Sequence, residues 1–460
     1  MNSSTRLLFL LTAFSMVPSA SGIVAQPLGT WKLLNPIQSF TVRTNPLDGK
    51  KILVGNSANR LYRSDDGGTT WYVVETGSTS ATNFLTSVHI PSRDTSIALV
   101  GGFAFTGIKR GISNGEFATV LSDPSFRRMI FVSEAITEDA DGNLFAARGS
   151  TYNSIWKSTD NGATWDSIAV IPTNETSKLL TIRAHPTIPG LLFVGAANAR
   201  IYRSSDGGLT WASVPVLNGK HTMFPGTEVS QIAFSTINPE VGYAAVTIID
   251  RGTTNDAGIL KTSNAGLNWD RVAFPDTSFW AVSVRTLPGG KEEVVAGGFR
   301  QRTIPSKECV GDSLVFRSVD GGQTWERYQN IHWVISDPDS PIKNVWSLHV
   351  APADNKLYMA TEQGVYVMDD VPLSVSCSAT AKGGLSISQH SGALFVSDMF
   401  PSQEPQAWSI YTTDGTRIAG GKVHCSQHQQ ISLGHCATGT YILVWGSGRS
   451  YRTVPFMFTR

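Results

Sequence analysis

The chain has 460 residues, 16% of them charged, and a formal net charge of +1. That length exceeds one ordinary domain, and nothing in the balanced charge suggests a nucleic-acid partner or an anionic membrane surface. Forty-three glycines and 12 tryptophans suit a turn-dense, all-β chain.

In chain order, Arg6 precedes the apolar run Leu7–Val17, and the small residues Ser19, Ala20, Ser21 and Ala25 offer cleavage sites. This pattern predicts a secretory signal peptide over residues 1–25, hence an exported protein in a disulfide-permissive space. No other stretch approaches the roughly 18 apolar residues of a spanning helix, so no membrane span is expected in the mature chain.

An octapeptide then recurs. It reads SDDGGTTW (Ser64, Asp66, Gly68, Trp71), STDNGATW (Ser158, Asp160, Gly162, Trp165), SSDGGLTW (Ser204, Asp206, Gly208, Trp211) and SVDGGQTW (Ser318, Asp320, Gly322, Trp325). A worn copy, TSNAGLNW, carries Asn264, Gly266 and Trp269. β-Branched and aromatic residues before each copy predict a strand. Ser and Asp side chains close the turn on nearby N–H groups, and Gly supplies the positive φ. The Trp opens the next strand and packs back over the turn. The serines at 64, 158, 204, 262 (Thr) and 318 imply a hidden unit at Gly107–Phe117 and a last one at Leu357–Met368. Seven units of about four strands each predict a propeller. Gly29–Leu33 repeats the end of the octapeptide and is expected to complete the seventh blade, hiding two sheet edges.

On these residues the repeat resembles the Asp-box, or BNR, repeat of sialidases, sortilin-type receptors and photosystem II stability factors. The resemblance implies a seven-bladed all-β propeller over residues 26–372. Beyond it, Ser409–Gly420 reads as a hairpin around Asp414–Gly415 and Gly439–Trp445 as a buried strand. That order, over roughly the last 65 residues, resembles the C-terminal sorting domain of type IX secretion and implies a small β-sandwich over 373–460. The partners expected are an extracellular glycan or protein and the type IX machinery, with delivery through the periplasm to the surface or beyond.

Asp66, Asp160, Asp206 and Asp320 are assigned to turns on the rim, since a catalytic acid is needed only once. Insertions at Leu217–Glu228, Asp250–Ala257, Phe299–Asp312 and Tyr328–Lys343 are expected on one face, where long loops on a rigid scaffold bind ligands. The candidate ligand contacts are Arg300, Arg302, His332, Trp333, His221 and Arg251. Arg300 and Arg302 alternate along the chain and could form a fork for carboxylate or sulfate; Trp333 offers a flat surface. A sialidase needs an arginine cluster, a tyrosine nucleophile with a glutamate partner, and an acid. Arg43 is followed by Thr-Asn-Pro rather than the family's Ile-Pro, and no such set is assembled in the sequence. No catalytic residue, metal or cofactor is therefore assigned. Asp139–Asn143 reads as a turn between strands. Cys425 and Cys436 are expected to pair across neighbouring strands, with free thiols or a metal site as alternatives. The favoured function is non-catalytic binding, and the alternative is a sialidase-like glycoside hydrolase.

Overall fold

The computed structural model describes residues 29–56, 60–77, 84–103, 107–112, 115–122, 134–147, 153–171, 178–217, 226–248, 257–275, 277–287, 290–299, 315–328, 331, 333, 343–369, 385–390, 393–398, 406–412, 417–423, 428–432, 439–447 and 450–458. The signal segment, Cys425 and Cys436 lie outside them.

Seven sheets form the propeller, as the repeat predicts, six of four antiparallel strands and one of five. Their innermost strands are Ser39–Asn45, Phe84–His89, Ile136–Glu138, Leu179–Ala184, Thr227–Phe234, Phe279–Thr286 and Val345–Val350, which number the blades one to seven. The eroded unit is real: Gly107–Ile112 and Phe117–Ser122 are the third and fourth strands of blade two. Thr30–Asn35 is the fourth strand of blade seven and pairs with Gly364–Asp369, Trp31 opposite Met368. Trp31 is buried and meets the Tyr328 ring edge-on at 5.9 Å, so the closing strand also seals blade six.

Each octapeptide is a self-contained corner. In blade four, Ser204 Oγ donates to Asp206 at 2.8 Å and accepts from Gly208 N at 2.9 Å; Asp206 accepts from Thr210 N and Oγ1. Trp211 Nε1 donates to Gly208 O at 2.9 Å. The hydroxyl and backbone bonds of Thr210 hold the Asp206 carboxyl down at about 2. The same corner serves neighbouring blades. A Cβ on Gly162, at φ 77°, would come within 2.7 Å of Leu99 in blade two, so the position requires glycine for space as well as for φ. The basic residue before the box reaches the next corner: Arg110 to Asn161 O, Arg203 to Ala265 O, and Lys261 to Gly321 O at 2.7–3.1 Å.

The worn copy departs from the expected packing. Trp269 does not cap its own turn; its ring is fully buried against Phe193 and Phe234 between blades four and five. The cause is an added strand. Val216–Leu217 leaves blade four and pairs in parallel with Trp269–Asp270, giving blade five a fifth strand and drawing Trp269 inward. Leu217 and Glu228, expected as ends of a loop, are thus both strand residues. Asp139–Asn143 is a turn: Asp139 accepts from the amides of Asp141 and Asn143.

The C-terminal part forms a three-stranded sheet and a four-stranded sheet. Its hairpin pairs Gln406–Thr412 with Arg417–Val423, and Gly439–Ser447 lies beside it with Leu443 buried.

Removing residues up to Leu34 strips blade seven of its fourth strand and uncovers Tyr328. Losing one core tryptophan alone costs about 3–5 kcal/mol, so denaturant unfolding of the truncated propeller should show at least that loss. An unchanged midpoint would contradict closure by this strand.

Candidate functional site

The innermost strands share one irregularity. Six of them carry a β-bulge near their start, at Phe40, Thr86, Leu180, Ser230, Trp280 and Trp346, seen as register shifts around each. A bulge places two residues opposite one and re-aims the side chains that follow. Three positions beyond, Arg43, His89, Arg183, Ala233, Ser283 and His349 all line one central cavity. Glu134, beside the start of blade three's inner strand, bridges to Thr181 and fills the remaining place.

Glu134 crosses the channel. Its carboxylate accepts from Arg43 Nη2 at 2.7 Å and Gln231 Nε2 at 3.0 Å, with Arg183 Nη1 at 3.8 Å. Arg43 also donates to Ser347 Oγ, and Gln231 donates to Leu348 O and accepts from Val282 N. Blades one, three, four, five, six and seven are thereby joined. Ser87 of blade two accepts from Ala135 N, completing the hoop. Burial pushes the Arg43 guanidinium down while Glu134 supports its charge.

This hoop is the floor of a cavity of about 500 Å³ that opens between the turns ending the inner strands, at Pro46, Ser92, Pro186 and Asn355. Those turns adjoin the octapeptide corners, as the bonds Gly67 N to Lys50 O and Gly207 N to Gly190 O show. The cavity therefore opens on the face opposite the blade-to-blade loops. At the loop-rich end the channel meets an arc of rings: Phe84, Phe40, Trp346 and Trp280 stack edge-to-face with centroids 5.1–5.3 Å apart.

Glu138 is the second acid of the cavity. Burial works to raise its carboxyl, but bonds from His89 and Ser92 outweigh it and hold the group below its usual range. His349 accepts from Thr44 N at 3.1 Å; burial, then the charges of Arg43 and Arg183, push its proton affinity far down, so the ring is neutral.

A set of tyrosine, glutamate and two arginines does exist, in blade six. Tyr328 donates to Glu293 at 3.1 Å, and Arg285 and Arg317 pair with the same carboxylate at 2.7 and 3.3 Å. These groups are buried, and Trp31 covers the tyrosine. The set locks the blade from within instead of facing solvent.

Of the residues expected to contact ligand, Arg300, Arg302, His332, His221 and Arg251 lie outside the described residues. Trp333 is half-buried, its ring edge-on to Tyr366 at 5.6 Å, with Lys343 Nζ 6.0 Å from its centroid. Near that loop-rich face stands Glu228, 3% exposed, whose carboxyl burial pushes up to about 7 against the pull of Lys178. Sequence reading weighed Arg43 only as part of a motif and passed over His89, Arg183 and His349. Their signal was a basic or imidazole side chain at one fixed place in four inner strands whose other residues carry no charge.

No protein-family profile matches the chain, and no curated protein matches it. Among solved structures it is similar to a GH74 xyloglucanase from Xanthomonas campestris, at 15% identity and TM-score 0.53, over 92% of this chain and 75% of that one. An ancestral GH74 enzyme matches at 12% identity and TM-score 0.54, over 93% of this chain and 64% of the other. The protein described as YCF48 bound to D1 peptide matches at 14% identity and TM-score 0.34, over 76% of this chain and 98% of that one. At these identities the two GH74 likenesses establish a shared propeller fold.

Replacing Glu134 by Ala leaves a buried guanidinium facing an emptied acceptor. Breaking a buried ion pair from one side costs about 3–5 kcal/mol, and chemical denaturation should show that loss. A variant as stable as the parent would mean the hoop carries no stability.

Proposed function

We propose that this chain is an exported, non-catalytic propeller of the Asp-box type that binds a glycan or protein at or beyond the cell surface. The single observation behind this reading is the state of the two cavity acids. Acid catalysis of glycoside cleavage needs a carboxyl that keeps its proton and reaches the leaving oxygen. Glu134 is occupied by Arg43 and Gln231, and Glu138 is held ionised by Ser92 and His89. What the cavity offers instead is a preformed polar pocket of ligand size on a rigid ring. The C-terminal sheets support a sorting role of the type IX kind, and the N-terminal pattern supports export.

A glycoside hydrolase is the second reading, and one residue favours it. Glu228 is a buried carboxyl held near neutrality, a state suited to a general acid, in a fold shared with two GH74 enzymes. A combined screen separates the readings. The mature protein should capture members of a glycan and peptide array while releasing no reducing sugar from them, and a variant lacking residues from Val371 should fold yet stay in the periplasm. Sugar release that disappears in Glu228→Gln would establish the hydrolase. Normal surface delivery of the shortened chain would remove the sorting role.

A further inference from the structure

The cavity contains an arginine, Arg183, whose one ion pair is long. Arg43 and Arg183 share the single carboxylate of Glu134, at 2.7 and 3.8 Å, which leaves one positive charge among the three groups. Glu138 balances that charge formally, but its carboxylate is turned to His89 Nε2, Ser92 N and Ser92 Oγ and makes no ion pair with either arginine. Arg183 is the more open of the two arginines: its side chain is 39% exposed, against 13% for Arg43, and its Nε is buried without a partner. The field of this arginine reaches well beyond its own contacts. It counts among the influences that drive protons from Arg43, His185 and His349. A guanidinium with free donors in a walled pocket is suited to a planar two-oxygen anion.

The surroundings indicate what carries the anion. Beside the polar lining residues stand Ile90, Phe234, Val284, Val350, Pro186 and Pro352, with no open aromatic face for a sugar ring. Leu47, 77% exposed, follows the lining residue Pro46, and Ile237, 53% exposed, follows the lining residue Thr236. Blades one and five thus raise an aliphatic side chain beside the mouth from two sides. Aliphatic contacts around an open basic centre fit a peptide.

We propose that the cavity on the octapeptide face binds a carboxylate-bearing peptide segment, its carboxylate on Arg183 and its apolar side chains on Leu47 and Ile237. This rests on the binding reading above and places the site on the opposite face from the loops. The carboxylate can come from a chain terminus or from an acidic side chain, and two arms of the test tell these apart. A cavity of about 500 Å³ has room for an anchor of a few residues, with the rest of the partner outside.

The test uses three N-acetylated aliphatic hexapeptides and calorimetric titration of the mature protein. One ends in a free carboxylate, one is amidated with a single internal Asp, and one is amidated with no acid. At least one acidic peptide should bind tenfold or more tightly than the neutral one. Arg183→Gln should abolish that difference. So should Thr236→Glu, which sets a negative charge at the exposed rim and leaves the hoop intact, with an unchanged melting midpoint as the check on folding. Equal affinity for all three peptides, binding that survives both substitutions, or capture of an oligouronate but no peptide would overturn the site. If the array of the preceding section yields a ligand that ignores both substitutions, the binding reading stands and this cavity is not its seat.

Discussion

The carboxylate of Glu134 is the interaction on which the ring depends. It is 5% exposed, and a buried charge is tolerated only when paired and hydrogen-bonded. Its partners come from blades one, four and five, and they in turn hold blades six and seven. A pairing of this kind can be satisfied at one separation of the inner strands only. The hoop therefore sets the width of the channel. By filling the middle of the channel, it also makes a pocket on one side and leaves the ring of aromatic side chains on the other.

The periphery obeys a different logic. Each octapeptide bonds within five residues of itself, so it forms without knowledge of the rest of the chain. The arginine or lysine ahead of it then reaches the next corner, and its glycine admits the previous blade. Local corners fix the blades, neighbour contacts fix their order, and the central hoop fixes the circle. Thr30–Asn35 joins the two ends of that circle, and Trp31 takes part in the packing of blade six while doing so.

This division explains what could be read in advance. Corners and strands were legible because their bonds are local and their residues repeat; even the eroded unit at Gly107–Phe117 followed from spacing. Trp269 was misjudged, because the strand Val216–Leu217 that draws it inward lies 53 residues earlier and carries no mark of parallel pairing. The hoop was illegible for the same reason. Arg43 and Ser347 are 304 residues apart, and Gln231 is 97 from Glu134. Arg43 was weighed only against a neighbouring motif, whereas its meaning lies in the bulge at Phe40 that turns it into the channel. The expected loop contacts other than Trp333 fall outside the described residues, so the cavity and the loop face remain two separate proposals.

The most direct test of the central role of Glu134 is a double-mutant cycle of Glu134→Ala and Arg43→Ala, read by denaturant unfolding at equal ionic strength. Residues within one buried network couple by roughly 0.5–3 kcal/mol. The hoop predicts a coupling energy of at least about 1.5 kcal/mol, with the double variant less destabilised than the two single losses combined. Losses that add to within about 0.3 kcal/mol would contradict it and leave the corners alone to hold the ring.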